Sequence, residues 1–210
     1  PVTRVADPKP CAGIVPSSGA STRMGRDKGL LEVEGRTFLR RTIHALTEGG
    51  CEPVLVVVAE GEDEMAQEAE AAGAVVLVNP EPGEGPITSL RIALSALDHS
   101  VSAVAYLPVD HPLVKPSTIR ELLEAVASKG ATLAIPTYHG ERGHPALFGQ
   151  ELFVELLDPD LEGGARTVVH RHLADALLVE VDDEGVVTDI DTPEIYRAVV
   201  DGTDDAGDDQ

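Results

Sequence analysis

Short apolar runs alternate with amphipathic stretches along most of the chain. CAGIVP at 11–16, PVLVVVAE at 53–60, AVVLV at 74–78, VSAVAYLPV at 101–109 and ATLAIPTY at 131–138 predict strands. Between them, TFLRRTIHALTEGG at 37–50 places apolar residues at 38, 39, 43 and 46 and stops at two glycines, a helical signature. DEMAQEAEAAG at 63–73, PITSLRIALSALD at 86–98 and PSTIRELLEAVASKG at 116–130 also read as helices. Pro86 suits a first turn, and Gly130 supplies a stop.

Strands that are apolar throughout belong inside a parallel sheet with helices on both faces. The rhythm therefore predicts an α/β fold: a doubly wound, three-layer α/β/α domain. After residue 138 the rhythm loosens. Short strands expected near 145–148, 177–181 and 186–190 suggest a small antiparallel or edge element around that sheet. Residues 1–10, with three prolines, read as a disordered lead, and DGTDDAGDDQ at 201–210 as a disordered acidic tail. The span 11–200 reads as a single domain.

Composition narrows the partners. The 210 residues carry 37 Asp+Glu against 16 Lys+Arg, a formal charge of -21. That field repels nucleic acid and anionic lipid, so neither nucleic acid nor a membrane is expected as a partner. It also fits a protein kept soluble at high salt, where self-repulsion is screened. The core must be built from Ala, Val and Leu, since the chain has no Trp and only three Phe and three Tyr. Cys11 and Cys51 sit beside apolar strands and are expected as buried free thiols. No 18-residue apolar run and no signal peptide are seen, so a cytoplasmic location is expected.

The scarce cations make one loop conspicuous. VPSSGASTRMGRDK at 15–28 follows the first strand with Gly19, Gly25, Arg23, Arg26 and Lys28. Small residues and cations directly after a strand suit phosphate, although a solvated basic turn has the same composition. The loop matches neither GxGxxG nor GxxxxGK[ST]. Asp110, in LPVDHP, lies just beyond the carboxyl end of a central strand, where open sheets bind ligands. Asp189 and Asp191 lie in VTDIDTPE, and carboxylates converging from two segments make an oxygen-rich site for Mg²⁺. Alternatively Asp191 or Thr192 merely caps a helix starting at Pro193. CxxC spacing is absent, which leaves zinc unexpected, and no GxSxG elbow supports serine hydrolysis.

PSSGASTRMGRDKGLL resembles the signature loop of the nucleotidyltransferases typified by the molybdenum-cofactor enzymes, with Gly19, Ser21, Arg23, Met24, Gly25 and Lys28 on its pattern. NPEPGEGPITSLRIAL at 79–94, LPVDHPLV at 107–114 and DIDTPEIY at 189–196 are similar to later segments of that family. GERGHPALF at 140–148 resembles the Gly-His-Pro segment of its cytidylyltransferase branch, and EGGAR at 162–166 its Asp-x-Gly-Ala-Arg, with Glu162 replacing Asp. Pro16, Ser17 and Ser18 replace the usual Leu-Ala-Ala.

The resemblance implies a Rossmann-like fold of the nucleotide-diphospho-sugar transferase type. It implies transfer of CMP from CTP to molybdopterin or its molybdenum-loaded form, with release of pyrophosphate. It implies catalytic roles for Arg23, Lys28 and Asp110, and Mg²⁺ (Mn²⁺ as a substitute) held by Asp110 and Asp191. Nucleotide would be bound by Pro16, Ser17, Ser18, Gly19, Ala20, Ser21, Thr22, Asn79, Gly85 and Ser89, and the pterin phosphate acceptor by His144 and Arg166. A molybdenum-dependent oxidoreductase or its maturation factor is the implied protein partner. Rival readings are a guanylyltransferase for the same cofactor and a cytidylyltransferase for a sugar or alditol phosphate. A protein that binds nucleotide or cofactor without chemistry is a rival of another class.

Overall fold

A computed structural model describes residues 10–17 and 27–205. Residues 1–9 of the expected lead, residues 18–26 of the basic loop and residues 206–210 of the expected tail lie outside the described residues. Ten strands and seven α-helices follow in order among the described residues. They are β1 (Cys11–Pro16), β2 (Glu32–Val33), β3 (Arg36–Thr37), α1 (Phe38–Glu48), β4 (Val54–Ala59), α2 (Asp63–Ala71) and β5 (Val75–Asn79). Next come α3 (Pro86–Ala96), β6 (Ala103–Tyr106), α4 (Pro116–Lys129), β7 (Leu133–Tyr138), β8 (Glu141–Arg142) and β9 (Ala146–Gly149). The chain closes with α5 (Phe153–Leu156), α6 (Ala165–His172), β10 (Leu177–Glu180) and α7 (Pro193–Asp205).

The main sheet runs β10-β7-β9-β6-β1-β4-β5, with β8 paired to β7. β1 pairs in parallel with both β4 and β6, and β10 in parallel with β7. β9 lies antiparallel between β6 and β7. The expected three-layer α/β/α fold with a mostly parallel sheet is therefore present. Of the later strands, β10 forms the expected edge element, whereas the antiparallel β9 sits within the sheet.

Alternation along the strands divides the core in two. Val15, Val54, Val56 and Val58 meet α1, α2 and α4 through Phe38, Ile43, Met65, Ile119 and Leu122. Ala12, Ile14, Leu55 and Val57 face the other way and meet Leu90 of α3, Leu156 of α5 and Val168 of α6. Each fully buried Val, Leu, Ile, Phe or Met among them contributes about 1.5–3 kcal/mol. Cys11 and Cys51 are buried free thiols, as expected.

Two expectations near the end of the chain change. Residues 186–190 form no strand: Glu184–Val186 is a 3-10 turn, closed by the Val187 N–H donating to the Glu184 carbonyl at 3.1 Å. Val186 and Ile190 are fully buried, so their apolar character serves packing. At the other change, α7 continues to Asp205, five residues into the segment expected to be a tail. Its start is capped by Thr192, whose hydroxyl accepts from the Ile195 N–H at 3.3 Å, which frees Asp191 from the capping role.

Candidate active site

β1 is the switch point of the sheet. β4 and β5 lie to one side of it, and β6 with the later strands to the other. In open sheets the crevice beyond the carboxyl ends of the strands flanking that point takes ligands. Here Pro16 ends β1 and Ser17 follows it, and the turn 107–111 follows β6. The Ser17 N–H donates to Val57 of β4 at 2.9 Å, and the His111 N–H to Pro108 at 3.1 Å, so both loop starts are pinned.

A cavity of about 380 Å³ opens there, lined by Pro16, Ser17, Lys28, Asp110, His111 and Asp189 among others. A second cavity of about 890 Å³ lies beside it. Gly85, Pro86, Tyr106, Pro108 and His144 line both and form the wall between them. Gly85 has φ +93, a left-handed conformation that favours glycine, and it caps the start of α3.

Asp110, Asp189 and Lys28 line the first cavity, and Asp191 joins them through Lys28. Lys28 Nζ donates to Asp191 Oδ1 and stands 3.5 Å from Asp110 Oδ2. His111 Nδ1 lies 3.0 Å from Asp110 Oδ1. Ligand atoms of Asp110, His111 and Asp189 lie within 4.8 Å of one another. The segment 189–191 is tied to the turn by the Ile190 N–H, which donates to the Asp110 carbonyl at 3.0 Å.

The electrostatics separate these groups. Burial pushes the Asp110 carboxyl up, but the hydrogen bond and charge of His111, with Lys28 and His144, hold it below its ordinary value. Lys28 likewise lowers Asp191. Burial, then the negative charges of Asp110 and Asp191, push Asp189 up to about 6. Burial and the neighbouring His111 push His144 down to about 4, so its ring is neutral at pH 7. Three buried polar atoms have no hydrogen-bond partner among the described residues: Ser17 Oγ, His144 Nδ1 and Asp189 Oδ1. All three residues line the first cavity. Orphaned buried polar atoms carry a desolvation cost that a bound ligand can offset. An oxygen-rich set with one unpaired carboxylate oxygen suits a hard divalent cation.

The residues expected from sequence fall into groups. Pro16, Ser17, Lys28, Gly85, Asp110 and His144 line the first cavity. Arg166, exposed near the start of α6, lines the second. Ser18, Gly19, Ala20, Ser21, Thr22 and Arg23 lie outside the described residues. Asn79 and Ser89 are buried and line neither cavity: the Asn79 amide donates to Thr88 Oγ1 at 2.9 Å and Ser89 Oγ at 3.1 Å. The Asn79 carbonyl oxygen accepts from the Glu81 N–H at 2.9 Å. Asp191, expected beside Asp110 as a metal ligand, is engaged by Lys28, while Asp189 joins Asp110 and His111. His111 was not foreseen from sequence; its one signal was adjacency to Asp110.

This fold and this site define a nucleotidyltransferase. The MobA-like NTP transferase domain description matches residues 13–176, and the chain belongs to that family. It is 30% identical over 175 residues to a probable molybdenum cofactor guanylyltransferase of Mycobacterium avium, covering 82% of this chain and 84% of the relative. It is 24% identical over 184 residues to the molybdenum cofactor cytidylyltransferase of Escherichia coli, covering 87% and 92%. The crystal structure of Rv0371c from Mycobacterium tuberculosis H37Rv superposes with a TM-score of 0.78 at 25% identity, covering 93% of this chain and 99% of that one. Among the described residues no helix is long and apolar enough to cross a membrane.

Proposed function

We propose that the protein transfers a nucleotidyl group from CTP to the phosphate of a pterin acceptor, molybdopterin or its molybdenum-loaded form. A phosphate oxygen of the acceptor attacks the α-phosphorus, the bond from that phosphorus to the bridging oxygen breaks, and pyrophosphate leaves. The carrying observation is the meeting of Lys28, Asp110 and Asp189 in a cavity that shares a wall with a second, larger one. One cavity suits the donor nucleotide and the other the acceptor.

The chemistry is charge management. The attacking phosphate is already ionised, so no general base is required. Lys28 sits where it can stabilise charge moving onto the α-phosphate and pyrophosphate. Ser17 Oγ in the first cavity and the neutral His144 at the wall offer uncharged hydrogen-bonding atoms. Asp110 and Asp189, with Asp191 alongside, would hold Mg²⁺ or Mn²⁺, which supplies neutralisation of the triphosphate when bound. Arg166 and Arg142, over an apolar floor that includes Ile87 and Phe148, suit a flat anionic heterocycle. The product would pass to a molybdenum-dependent oxidoreductase or its maturation factor.

The cytidine reading rests on the Gly143-His144-Pro145 segment, which carries His144 into the shared wall. A guanosine donor is the second reading, favoured by the 30% identity to the Mycobacterium avium relative. Pyrophosphate release measured over four nucleoside triphosphates, crossed with molybdopterin, sugar phosphates and alditol phosphates, separates them. CTP with molybdopterin is the expected productive pair. GTP in its place selects the second reading, and release with no pair rejects transferase chemistry on these acceptors.

A further inference from the structure

We infer that His111 is a positioning residue: its imidazole fixes the Asp110 carboxylate in the one orientation that leaves an oxygen for a cation. The inference rests on the metal-assisted reading proposed above and concerns a side chain outside the residues assigned there. The two oxygens of Asp110 have different neighbours. Oδ1 lies 3.0 Å from His111 Nδ1, and Oδ2 faces Lys28 at 3.5 Å. His111 is itself held, at 8% exposure, with its ring edge-on to His144 at 4.7 Å and 68°. The backbone under Asp110 is fixed from the other side by the Ile190 N–H.

An aspartate side chain has two soft torsions. Without a donor on Oδ1, the carboxylate is free to turn both oxygens toward Lys28, whose ammonium already stands between Asp110 and Asp191. A lysine so chelated would occupy the place a cation needs. The ionised carboxylate only accepts, so the pairing also fixes the imidazole tautomer with its proton on Nδ1. Hydrogen-bond partners of ligating carboxylates commonly govern metal affinity by 10–100-fold.

The test compares His111→Asn, whose amide nitrogen can stand near the position of Nδ1, with His111→Gln and His111→Leu, which place no donor there. Mn²⁺ binding is followed without nucleotide by the electron paramagnetic resonance of free Mn²⁺, counting only sites lost in Asp110→Asn. The Leu and Gln variants should bind Mn²⁺ about 10-fold more weakly. Asn should return to within about 3-fold of the parent, with donor KM unchanged and kcat following the same order. Crystal structures of the Asn and Leu variants should show Asp110 unmoved in the first and turned toward Lys28 in the second. Parental Mn²⁺ affinity in the Leu variant, or equal behaviour of Asn and Gln, overturns the inference. Nitrogen coupling from His111 to bound Mn²⁺ also overturns it, because His111 would then be a ligand itself. Parent protein that binds no Mn²⁺ defeats the metal reading alone, and the Asp110 orientations in the two crystal structures then decide. A Leu variant that fails to fold leaves the Asn and Gln pair to decide.

Discussion

Lys28 donates to Asp191 across 163 positions of sequence and brings its ammonium to 3.5 Å from Asp110. One cation thereby joins the basic loop, the turn after β6 and the segment before α7. The Lys28→Met variant should lose about 10²–10³-fold in kcat, the scale of one removed electrostatic donor. In chelator its Tm should fall, since Asp110, Asp189 and Asp191 then face one another without the Lys28 ammonium. Added Mg²⁺ should restore much of that loss. Turnover at the parental rate would remove Lys28 from the mechanism.

Asp189 behaves differently from its two neighbours. Burial and the charge of Asp110 push it up to about 6, so its ionised form is disfavoured in the metal-free fold. Asp189→Asn should therefore melt a few degrees higher in chelator, yet bind Mn²⁺ more weakly and turn over more slowly. Calorimetric melting beside Mn²⁺ titration checks both signs. A lower Tm in chelator would show that the negative charge is stabilising where the burial says it is not.

Among the described residues Asp183 is the buried acid outside the site, and its role is architectural. It is 2% exposed. Its Oδ2 accepts from the Lys115 N–H at 2.8 Å and Thr118 Oγ1 at 2.6 Å, and its Oδ1 from the Gly185 N–H at 3.1 Å. It thus caps α4 from 68 residues away, where Lys115 makes no side-chain cap of its own. Asp183→Ala should cost about 2–4 kcal/mol in denaturant unfolding, combining a lost cap with lost charge-assisted bonds. Activity per folded molecule should persist. Loss of activity in a folded Asp183→Ala protein would tie α4 to catalysis.

Glu68 contributes to the acid dependence. Arg40, against a smaller cost of burial and with help from Thr37, holds its carboxyl below the ordinary value of 4.5. Arg40 Nε donates to Oε1 at 2.7 Å, Arg40 Nη2 to Oε2 at 3.2 Å, and Thr37 Oγ1 to Oε1 at 2.8 Å, linking α1 to α2. A lowered folded-state value stabilises fully above the unfolded value and is lost as pH falls through the folded one. The Tm gap between the parent and Glu68→Gln should therefore be present at pH 7 and close below pH 4.5. A gap that stays constant through that range would mean the ion pair adds nothing.

The strands flanking the site were legible because buried parallel strands are apolar on both faces, as CAGIVP and VLVVVA are. Asp110 was legible for the same reason: it follows such a strand. The insertion of β9 between β6 and β7 was not, since ALFG carries no mark of its pairing partners. Val186 and Val187 look like strand residues. Gly185 allows otherwise: a Cβ there would clash with the Leu113 carbonyl, so glycine lets the 3-10 turn pack close against that backbone. The division of labour between Asp189 and Asp191 depends on where the Lys28 ammonium lands, a long-range fact that local pattern does not contain. Asn79 and Ser89 stand out in sequence through the family resemblance, while their burial and the hydrogen bonds that join Asn79 to Thr88, Ser89 and Glu81 are tertiary facts the local pattern does not contain.

Arg166 tests the division into two chambers. It lines the larger cavity with Arg142 and His170 and is not among the residues around the smaller one. Its side chain is exposed, so its contact with an acceptor anion is solvent-screened and worth about 1 kcal/mol. Arg166→Ala should raise the acceptor KM about 5-fold while the donor KM and the kcat at saturating acceptor stay near parental values. The defect should shrink in high salt, where the screening length contracts to about 3 Å at 1 M. An equal rise in both KM values would merge the chambers into one site, and a defect indifferent to salt would assign Arg166 a packing role.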